Sequence, residues 1–249
     1  MTLRWVPGWN GLTDPDAVSY VAAVEAADGQ ELEHGVAKAI NDFVLGCKND
    51  GIWDAIKASC ILAGARTLDG ALVPLVGTAP TNVGGLFVAG DYNRETGLVG
   101  DGSTKYLNSN RNNNADPQDN NHNSSFVSTL GTGAVISSAT GGSTPGTNII
   151  GGTNIRSRAD STPSFTLASG FVGHSRFQSD SFSYRNSGAT LSASIASQSP
   201  DPNNVLVFAS ATNRGTHRIA FYSIGESLDL AALDTRVSNL ITAIGAAIP

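Results

Sequence analysis

The side chains best suited to acid–base or nucleophilic chemistry are few in this 249-residue chain, and they are far apart in the sequence. The four histidines are His34, His122, His174 and His217. No Gly-x-Ser-x-Gly motif, which exposes a serine nucleophile on a strand-to-helix turn, accompanies them. His174 stands in a predicted strand, where its pattern favours a surface or half-buried position over the role of a general base. The histidines therefore predict no Ser/His/Asp site.

Carboxylates are equally sparse where a glycan-cleaving pair would be needed. Retaining glycoside hydrolases hold two carboxyl groups about 5–5.5 Å apart, a spacing that alternate positions on a strand supply. Between Asn121 and Gly225 the only acidic residues are Asp160, Asp180 and Asp201. Each stands beside Ser or Pro, and we expect each to form a turn. The sequence thus predicts no catalytic site.

Metal and disulfide chemistry have weak sequence support. Asp91-x-Asn93 and Asp116-x-x-Asp119 supply oxygen donors that Ca²⁺ accepts, but neither reaches six ligands by its own spacing. We expect no metal and no cofactor, with calcium as the one open alternative. The two cysteines, Cys47 and Cys60, both lie in apolar stretches. We interpret them as small buried side chains, and a disulfide between them stays the alternative.

An asparagine-rich stretch between Asn108 and Ser125 is the clearest candidate for ligand binding. Asparagine tolerates left-handed backbone and forms side-chain turns, so the simplest interpretation is a long hydrated surface loop. Sugar sites combine aromatic platforms with amide and carboxylate groups, so the alternative is a carbohydrate site. The residues that would form it are Tyr92, Tyr106, Asn112, Asn113, Asn114 and Asp116. The competing interpretation places both tyrosines in the core.

Charge and hydropathy exclude several classes of partner. The net charge is −6, and the densest basic grouping, Arg156-Ser157-Arg158, is interpreted as a solvated strand edge, so nucleic acid is not expected. No apolar run reaches the roughly 18 residues of a membrane span. The first residues lack the apolar core of a signal peptide, so we expect no membrane insertion and no standard secretion.

Helical periodicity predicts a hairpin of two helices over residues 14–58. Asp14 is a suitable N-cap, Pro15 occupies the first helical position, and Gly29 follows the first helix. A second amphipathic helix leads to a stop at Gly51. Residues 227–249 predict a C-terminal amphipathic helix, capped by Ser227 or Asp229, that packs on the body of the protein.

Short alternating runs separated by Gly, Asn and Ser predict about ten strands over residues 59–226. Strands in succession, without helices between them, argue against a parallel α/β sheet and indicate a sandwich or jelly roll. The predicted strands include Leu86–Ala89, Ala134–Ser137, Asn154–Ser157, Phe165–Ala168, Phe171–Arg176 and Arg218–Ser223.

Residues 1–13 form an arm rich in Pro and Gly that contains Trp5 and Trp9. Such an arm cannot bury two tryptophans by itself, so we expect it to pack on its own domain or on a neighbouring subunit. Together with Trp53, which follows the second helix, these residues are the predicted assembly surface.

Several stretches resemble one group of bacteriophage structural proteins, in which a helix containing "GIW" precedes a concanavalin-A-like (laminin-G-like) jelly roll. The similar stretches are Asp14–Tyr20, Ile40–Val44, Lys48–Ala58, Gly90–Leu98, Lys105–Arg111 and Arg218–Asp229. The resemblance implies a mainly β protein, a concanavalin-A-like jelly-roll sandwich with an N-terminal helical hairpin and a C-terminal helix. The glycanase motif Glu-x-Asp-x-x-Glu that some such folds carry is absent from this sequence.

The resemblance also implies a function. We expect a non-enzymatic virion structural protein: a tail-fibre, baseplate, head-fibre or capsid-decoration subunit, assembled in the host cytoplasm and released by lysis. Its partners would be other virion proteins and further copies of itself. A receptor-binding protein for host surface glycans is the main alternative, and a polysaccharide depolymerase is the less favoured one.

Overall fold

The computed structural model describes residues 11–138 and 146–249. Within these residues the chain is mainly β, as predicted, with two antiparallel sheets and four α-helices. The helices are α1 (Pro15–Asp28), α2 (His34–Asn49), α3 (Leu68–Ala71) and α4 (Leu230–Ala247).

The fourteen described strands form one sheet of eight and one of six. The eight-stranded sheet contains β1 (Ile56–Ile61), β3 (Tyr92–Asn93), β4 (Gly97–Val99), β6 (Asn121–Thr129), β10 (Gly170–Arg176), β11 (Phe182–Asn186), β12 (Ala189–Ala193) and β14 (Arg218–Gly225). The six-stranded sheet contains β2 (Thr81–Asn82), β5 (Leu107–Asn112), β7 (Ile136–Ser137), β8 (Thr147–Gly151), β9 (Asn154–Ala159) and β13 (Asn204–Val207).

Strand order places sequence-distant segments side by side. The larger sheet runs β12-β11-β10-β6-β14-β4-β3, and β1 pairs with β14. The smaller sheet runs β2-β5-β13-β7-β8-β9. Because β6 lies between β10 and β14, it is an interior strand whose side chains alternate between the two faces of the sheet.

Two apolar cores lie on opposite faces of the eight-stranded sheet. Tyr222 points between the sheets and shares a core with Leu107 and Ile150 of the smaller sheet. Phe221, its neighbour in β14, points to the other face and meets Phe43 of α2 with ring centroids 5.7 Å apart. The alternation of a strand therefore gives three layers: helices, the eight-stranded sheet and the six-stranded sheet.

The first helix begins and ends where the sequence predicts. The Asp14 carboxylate accepts hydrogen bonds from the main-chain N–H groups of Asp16 (2.9 Å) and Ala17 (3.3 Å), and Gly29 ends the helix with φ of +68°. The predicted boundary between helical and β segments at residue 58 comes too late. Strand β1 begins at Ile56, which is paired with Gly225.

The C-terminal helix packs on both the sheet and the N-terminal helices. Asp229, one of the two predicted caps, accepts hydrogen bonds from the N–H groups of Ala231 (2.7 Å) and Ala232 (3.2 Å). Its buried stripe consists of Leu230, Leu233, Val237, Leu240 and Ile244. Across the described residues, no helix is both long and apolar enough to cross a membrane.

Two predicted strands, Leu86–Ala89 and Phe165–Ala168, are not strands. The side chain of Asn82 bonds the N–H (3.1 Å) and the carbonyl (3.0 Å) of Phe87, taking the place of a neighbouring strand. Phe165 and Leu167 are buried, which explains the alternating pattern, but Asn186 Oδ1 rather than a strand accepts from Ala168 N (3.0 Å).

The asparagine-rich stretch is not a long surface loop. It forms the end of β5, a short connection and the start of the interior strand β6. Asn121 and Asn123 are fully buried between neighbouring strands. The segment is hydrogen-bonded backbone rather than hydrated turn because β6 has a partner along both edges.

Candidate functional site

Asn113, one of the predicted ligand-binding residues, lies at the centre of a buried hydrogen-bond network. Its amide nitrogen donates to Gly146 O and to Asp201 Oδ2, both at 2.9 Å. Its amide oxygen accepts from Asn148 Nδ2 at 2.7 Å. The amide nitrogen and the amide oxygen of Asn113 both form hydrogen bonds inside the protein. Asn113 therefore connects its own segment to those that contain Gly146, Asn148 and Asp201.

Arg158 closes the same network. Its guanidinium donates to the main-chain oxygens of Asn113, Asp116 (3.0 Å) and Pro117. The interpretation of Arg156 and Arg158 as a solvated strand edge is wrong, since they are 8% and 1% exposed. Burial lowers the pKa of Arg158 to about 10, which leaves the side chain charged at neutral pH.

The network leaves no room for a ligand. Asn112, Asn113, Asp116, Asn148 and Arg158 surround one space between the sheets, and that space is too narrow for a water molecule. The structure therefore brings together three predicted ligand-binding residues, Asn112, Asn113 and Asp116, around a packed interior.

Asn112 and Asn114 also reach the surface. Asn112 lines an open cleft of about 210 Å³ together with Lys57, Ser109, Asn110 and Arg111. Its amide nitrogen donates to Pro202 O (2.7 Å), and its oxygen accepts from Asn114 N (3.0 Å). Asn114 itself is exposed. The cleft offers polar and charged groups to a ligand, but its lining contains no aromatic platform.

The two tyrosines of the predicted sugar site are engaged elsewhere. The Tyr92 hydroxyl donates to Ala65 O at 2.7 Å, and the ring packs against both apolar cores. Tyr106 is half-buried, and the guanidinium carbon of Arg214 lies 4.4 Å from its ring centroid. Neither tyrosine lines the cleft at Asn112.

Three of the four histidines, His122, His174 and His217, are interior groups, which corrects the expected surface or half-buried position of His174; His34 is exposed. His174 is completely buried, and burial lowers its pKa well below the ordinary value. His122 is also buried: its Nδ1–H donates to Glu226 O (2.5 Å), and its Nε2 accepts from Ser223 Oγ (2.7 Å). Burial lowers the pKa of His122 to about 4, so the imidazole is neutral near pH 7.

Trp53 borders a groove at the helical side of the protein. It begins a single 3-10 turn, Trp53–Ala55, and packs half-buried against the helical core. The groove has a volume of about 330 Å³ and is lined by Asp16, Ser19, Tyr20, Ala23, Trp53, Pro74, Leu75 and Val76. The other two predicted assembly residues, Trp5 and Trp9, lie outside the described residues.

A charged cluster stands beside Trp53. Lys48 Nζ lies 2.7 Å from Asp14 Oδ2, 2.6 Å from Asp16 Oδ2 and 5.6 Å from the Trp53 ring centroid. Burial acts to raise the pKa of Asp14, but hydrogen bonds from Lys48, Ala17 N and Asp16 N outweigh it and lower that pKa. The hydrogen bond to Asp14 in turn raises the pKa of Lys48. This cluster ties α1 to α2 and charges the rim of the groove.

Three of the four residues considered for calcium, Asp91, Asn93 and Asp116, have other partners, whereas Asp119 Oδ1 is buried without a hydrogen-bond partner among the described residues. Both oxygens of Asp91 accept from Lys105 Nζ at 2.7 Å, and Asp116 is paired with Arg111. Asn93 Oδ1 accepts from Thr96 N at 2.9 Å. Among the described residues, no group of three or more His, Cys, Asp or Glu side chains is placed to hold a metal ion.

The cysteines are placed as predicted, whereas the three acidic residues of the β region differ in their burial. Cys47 and Cys60 are free and buried, and burial raises the pKa of each thiol to about 12. Asp160 and Asp180 are exposed. Asp201 does form a turn, accepting from Asn203 N at 3.0 Å, but it is also buried and accepts from Ser138 Oγ at 2.7 Å.

Sequence reasoning missed Arg158, Asp201 and His122 as structural groups. Each is polar and stands in or beside a run that alternates like a half-exposed strand. For His122 the signal that could have identified it is the run of short polar residues around it, Asn121–Ser125, because polar side chains in an interior strand need buried partners.

The chain matches no protein-family model and no curated protein sequence. Its function must therefore be argued from the geometry of the grooves and from the use the fold makes of its polar side chains.

Proposed function

We propose that this protein is a non-enzymatic structural subunit of a bacteriophage virion that exposes a concanavalin-A-like jelly roll. The observation that carries the proposal is the layered arrangement of the fold. The terminal helices α1, α2 and α4 cover one face of the eight-stranded sheet, while the six-stranded sheet covers the other. Such a subunit has one helical side for docking and one β side to present outward.

The Trp53 groove supports docking through the helical side. It combines a half-buried indole, the apolar Pro74–Val76 segment and the charged rim formed by Asp16. Aromatic anchors in pockets with polar rims are typical of protein–protein interfaces. We infer that the groove receives a side chain of a neighbouring virion subunit.

The positions of the charged groups support a structural rather than a catalytic role. Three carboxylates form ion pairs with arginine side chains that are distant in the sequence. The pairs are Glu33 Oε2 with Arg94 at 2.6 Å, Asp234 Oδ2 with Arg185 at 2.6 Å, and Asp50 Oδ2 with Arg236 at 2.7 Å. These pairs join the start of α2 to the turn between β3 and β4, α4 to β11, and the end of α2 to α4, so these acids serve the fold. Catalytic carboxylates need instead an open approach to substrate.

The experiment is to purify particles from lysates of a phage or prophage that encodes the chain and to measure copies per particle by quantitative mass spectrometry. We expect a fixed copy number that survives banding in a density gradient. Trp53→Ala should reduce incorporation at least tenfold, while Val18→Ala, at an exposed α1 position that does not line the groove, should not. Absence of the chain from banded particles would overturn the proposal.

The polar cleft at Asn112 favours one second function, recognition of a host surface glycan. Lys57, Asn110 and Arg111 place hydrogen-bonding groups around an open space of about 210 Å³. Binding of the purified chain to a glycan array, lost in Arg111→Ala, would support it. Release of reducing ends from host capsule would instead indicate the depolymerase alternative.

A further inference from the structure

One edge of the eight-stranded sheet is open. Strand β12 pairs with β11 on one side only, and no other strand among the described residues borders it. Residues 189–192 are exposed, and Leu191 is 52% exposed although it is a large apolar side chain. An edge strand with free N–H and C=O groups is a template for another strand.

This edge lacks the features that usually protect an edge strand. Its sequence, Ala-Thr-Leu-Ser-Ala, contains no charge and no proline. The other sheet edges differ: β2 and β3 have two residues each, β9 is almost wholly buried, and β1 is bridged by Val76 through Ser59. Strand β12 is thus the longest unprotected edge in the described part of the chain.

The hairpin of β11 and β12 determines which residues of β12 point their main-chain N–H and C=O groups away from β11. Ser187 and Gly188 both have positive φ, at +52° and +78°, as in a two-residue type I′ turn. The pair that flanks such a turn, Asn186 and Ala189, is hydrogen-bonded, so residues 189, 191 and 193 bond to β11. The main-chain groups of Thr190 and Ser192 therefore point away from the sheet.

The outward groups match those of a second copy. Residues 189–193 are nearly symmetrical about Leu191, with alanine at both ends and a hydroxyl residue on each side. In an antiparallel pair related by a two-fold axis at Leu191, Thr190 of one copy faces Ser192 of the other. Both are outward residues, so the two pairs form four backbone hydrogen bonds. The two Leu191 side chains then meet at a non-hydrogen-bonded position, where facing side chains are closest.

We propose that β12 is a self-pairing edge, through which two copies of this chain join their eight-stranded sheets across a two-fold axis at Leu191. The interface is small, so the dissociation constant falls on the order of 10⁻⁵ to 10⁻³ M. Pairing is then favoured where many copies are held close together. This inference is independent of the virion proposal, since the edge is open whatever the protein does.

The test uses cysteine cross-linking of the full chain. In the paired state Leu191→Cys places two thiols opposite each other, within the Cα separation that a disulfide accepts. The native Cys47 and Cys60 are buried and do not compete. Under mild oxidation we expect Leu191→Cys to form a covalent dimer at least tenfold faster than Thr190→Cys. In the paired state residue 190 of each copy faces residue 192 of the other copy, so the two thiols of Thr190→Cys are not opposite each other.

Sedimentation equilibrium supplies a second measurement on chains without added cysteine. The wild type should dimerise as concentration rises to about 10⁻³ M. Leu191→Lys should weaken dimerisation at least tenfold, because like charges would then face each other. Leu130→Lys, at an exposed leucine outside the edge, should leave it unchanged. A wild type that stays monomeric, a dimer that survives Leu191→Lys, or equal cross-linking at residues 190 and 191 would overturn the proposal.

Discussion

Arg158 is buried against Asn113, and its guanidinium donates to the main-chain oxygen of that residue while Nε lies 3.4 Å from its amide oxygen. The two residues are 45 positions apart in the chain. Because of this contact, the asparagine-rich stretch between Asn108 and Ser125, whose composition resembles that of a hydrated loop, is packed between strands.

Replacing Asn113 with alanine should destabilise the protein by about 3 kcal/mol, because buried partners would lose their bonds. Asp201 would lose one donor and Asn148 its acceptor. Asn114→Ala, at the exposed neighbouring position, should change stability by less than about 0.5 kcal/mol. Urea unfolding followed by circular dichroism measures both. Equal effects of the two variants would show that the network contributes little.

The contrast between these neighbours shows what local sequence can predict. The caps at Asp14 and Asp229 and the helix end at Gly29 were predicted because each depends on bonds within a few residues. The structural role of Asn113 was not predicted, because its partners Gly146, Asn148 and Asp201 are distant from it in the sequence. Likewise the type of Trp53 made it a candidate assembly residue, but the groove that it borders also depends on Pro74, which lies in a distant segment.

Stability should fall as the pH is lowered from about 6.5 toward 4, because the interior histidines resist protonation. An unfolded histidine has a pKa near 6.5, whereas that of folded His122 is about 4. Between these values the unfolded chain binds more protons, so acid favours unfolding. His122 alone accounts for about 3 kcal/mol across this window, and His174 and His217 act in the same direction.

The variant His122→Gln tests this origin. Its unfolding free energy, measured by urea titration between pH 6 and pH 5, should depend on pH less steeply by about 1 kcal/mol per pH unit. Ser223→Ala, which removes a hydrogen bond to His122 but keeps the imidazole, should lower stability while retaining most of the slope. A slope unchanged in His122→Gln would assign the acid sensitivity to other groups.

Asp14 should contribute stability both as a helix cap and as the partner of Lys48. Asp14→Ala should cost about 2 kcal/mol, since it removes the cap and a partly buried ion pair. Asp14→Asn retains a capping oxygen and loses the charge, so it should cost less than half as much. Thermal unfolding of the two variants separates these contributions. A larger loss in Asp14→Asn than in Asp14→Ala would contradict this assignment.

Gly97 should be the glycine least able to accept a side chain among those in the sheet that contains β14. Its φ is +94°, and an added Cβ would lie 2.1 Å from Ile219 O and 2.7 Å from Ala220 Cα. Both atoms belong to the main chain of β14, which is held by β6 and cannot retreat without losing its own hydrogen bonds.

Gly97→Ala should therefore destabilise the protein by about 4 kcal/mol, combining backbone strain with a steric clash. Gly85→Ala is the matched control, because its φ is +66° but no atom lies within 4 Å of the added Cβ. Only the left-handed backbone is penalised there, at about 1 kcal/mol. Urea unfolding of both variants gives the difference. If the two variants lost equal amounts of unfolding free energy, the destabilisation at Gly97 would come from its positive φ alone. The sheet would then be able to move β4 away from β14 enough to avoid the clash.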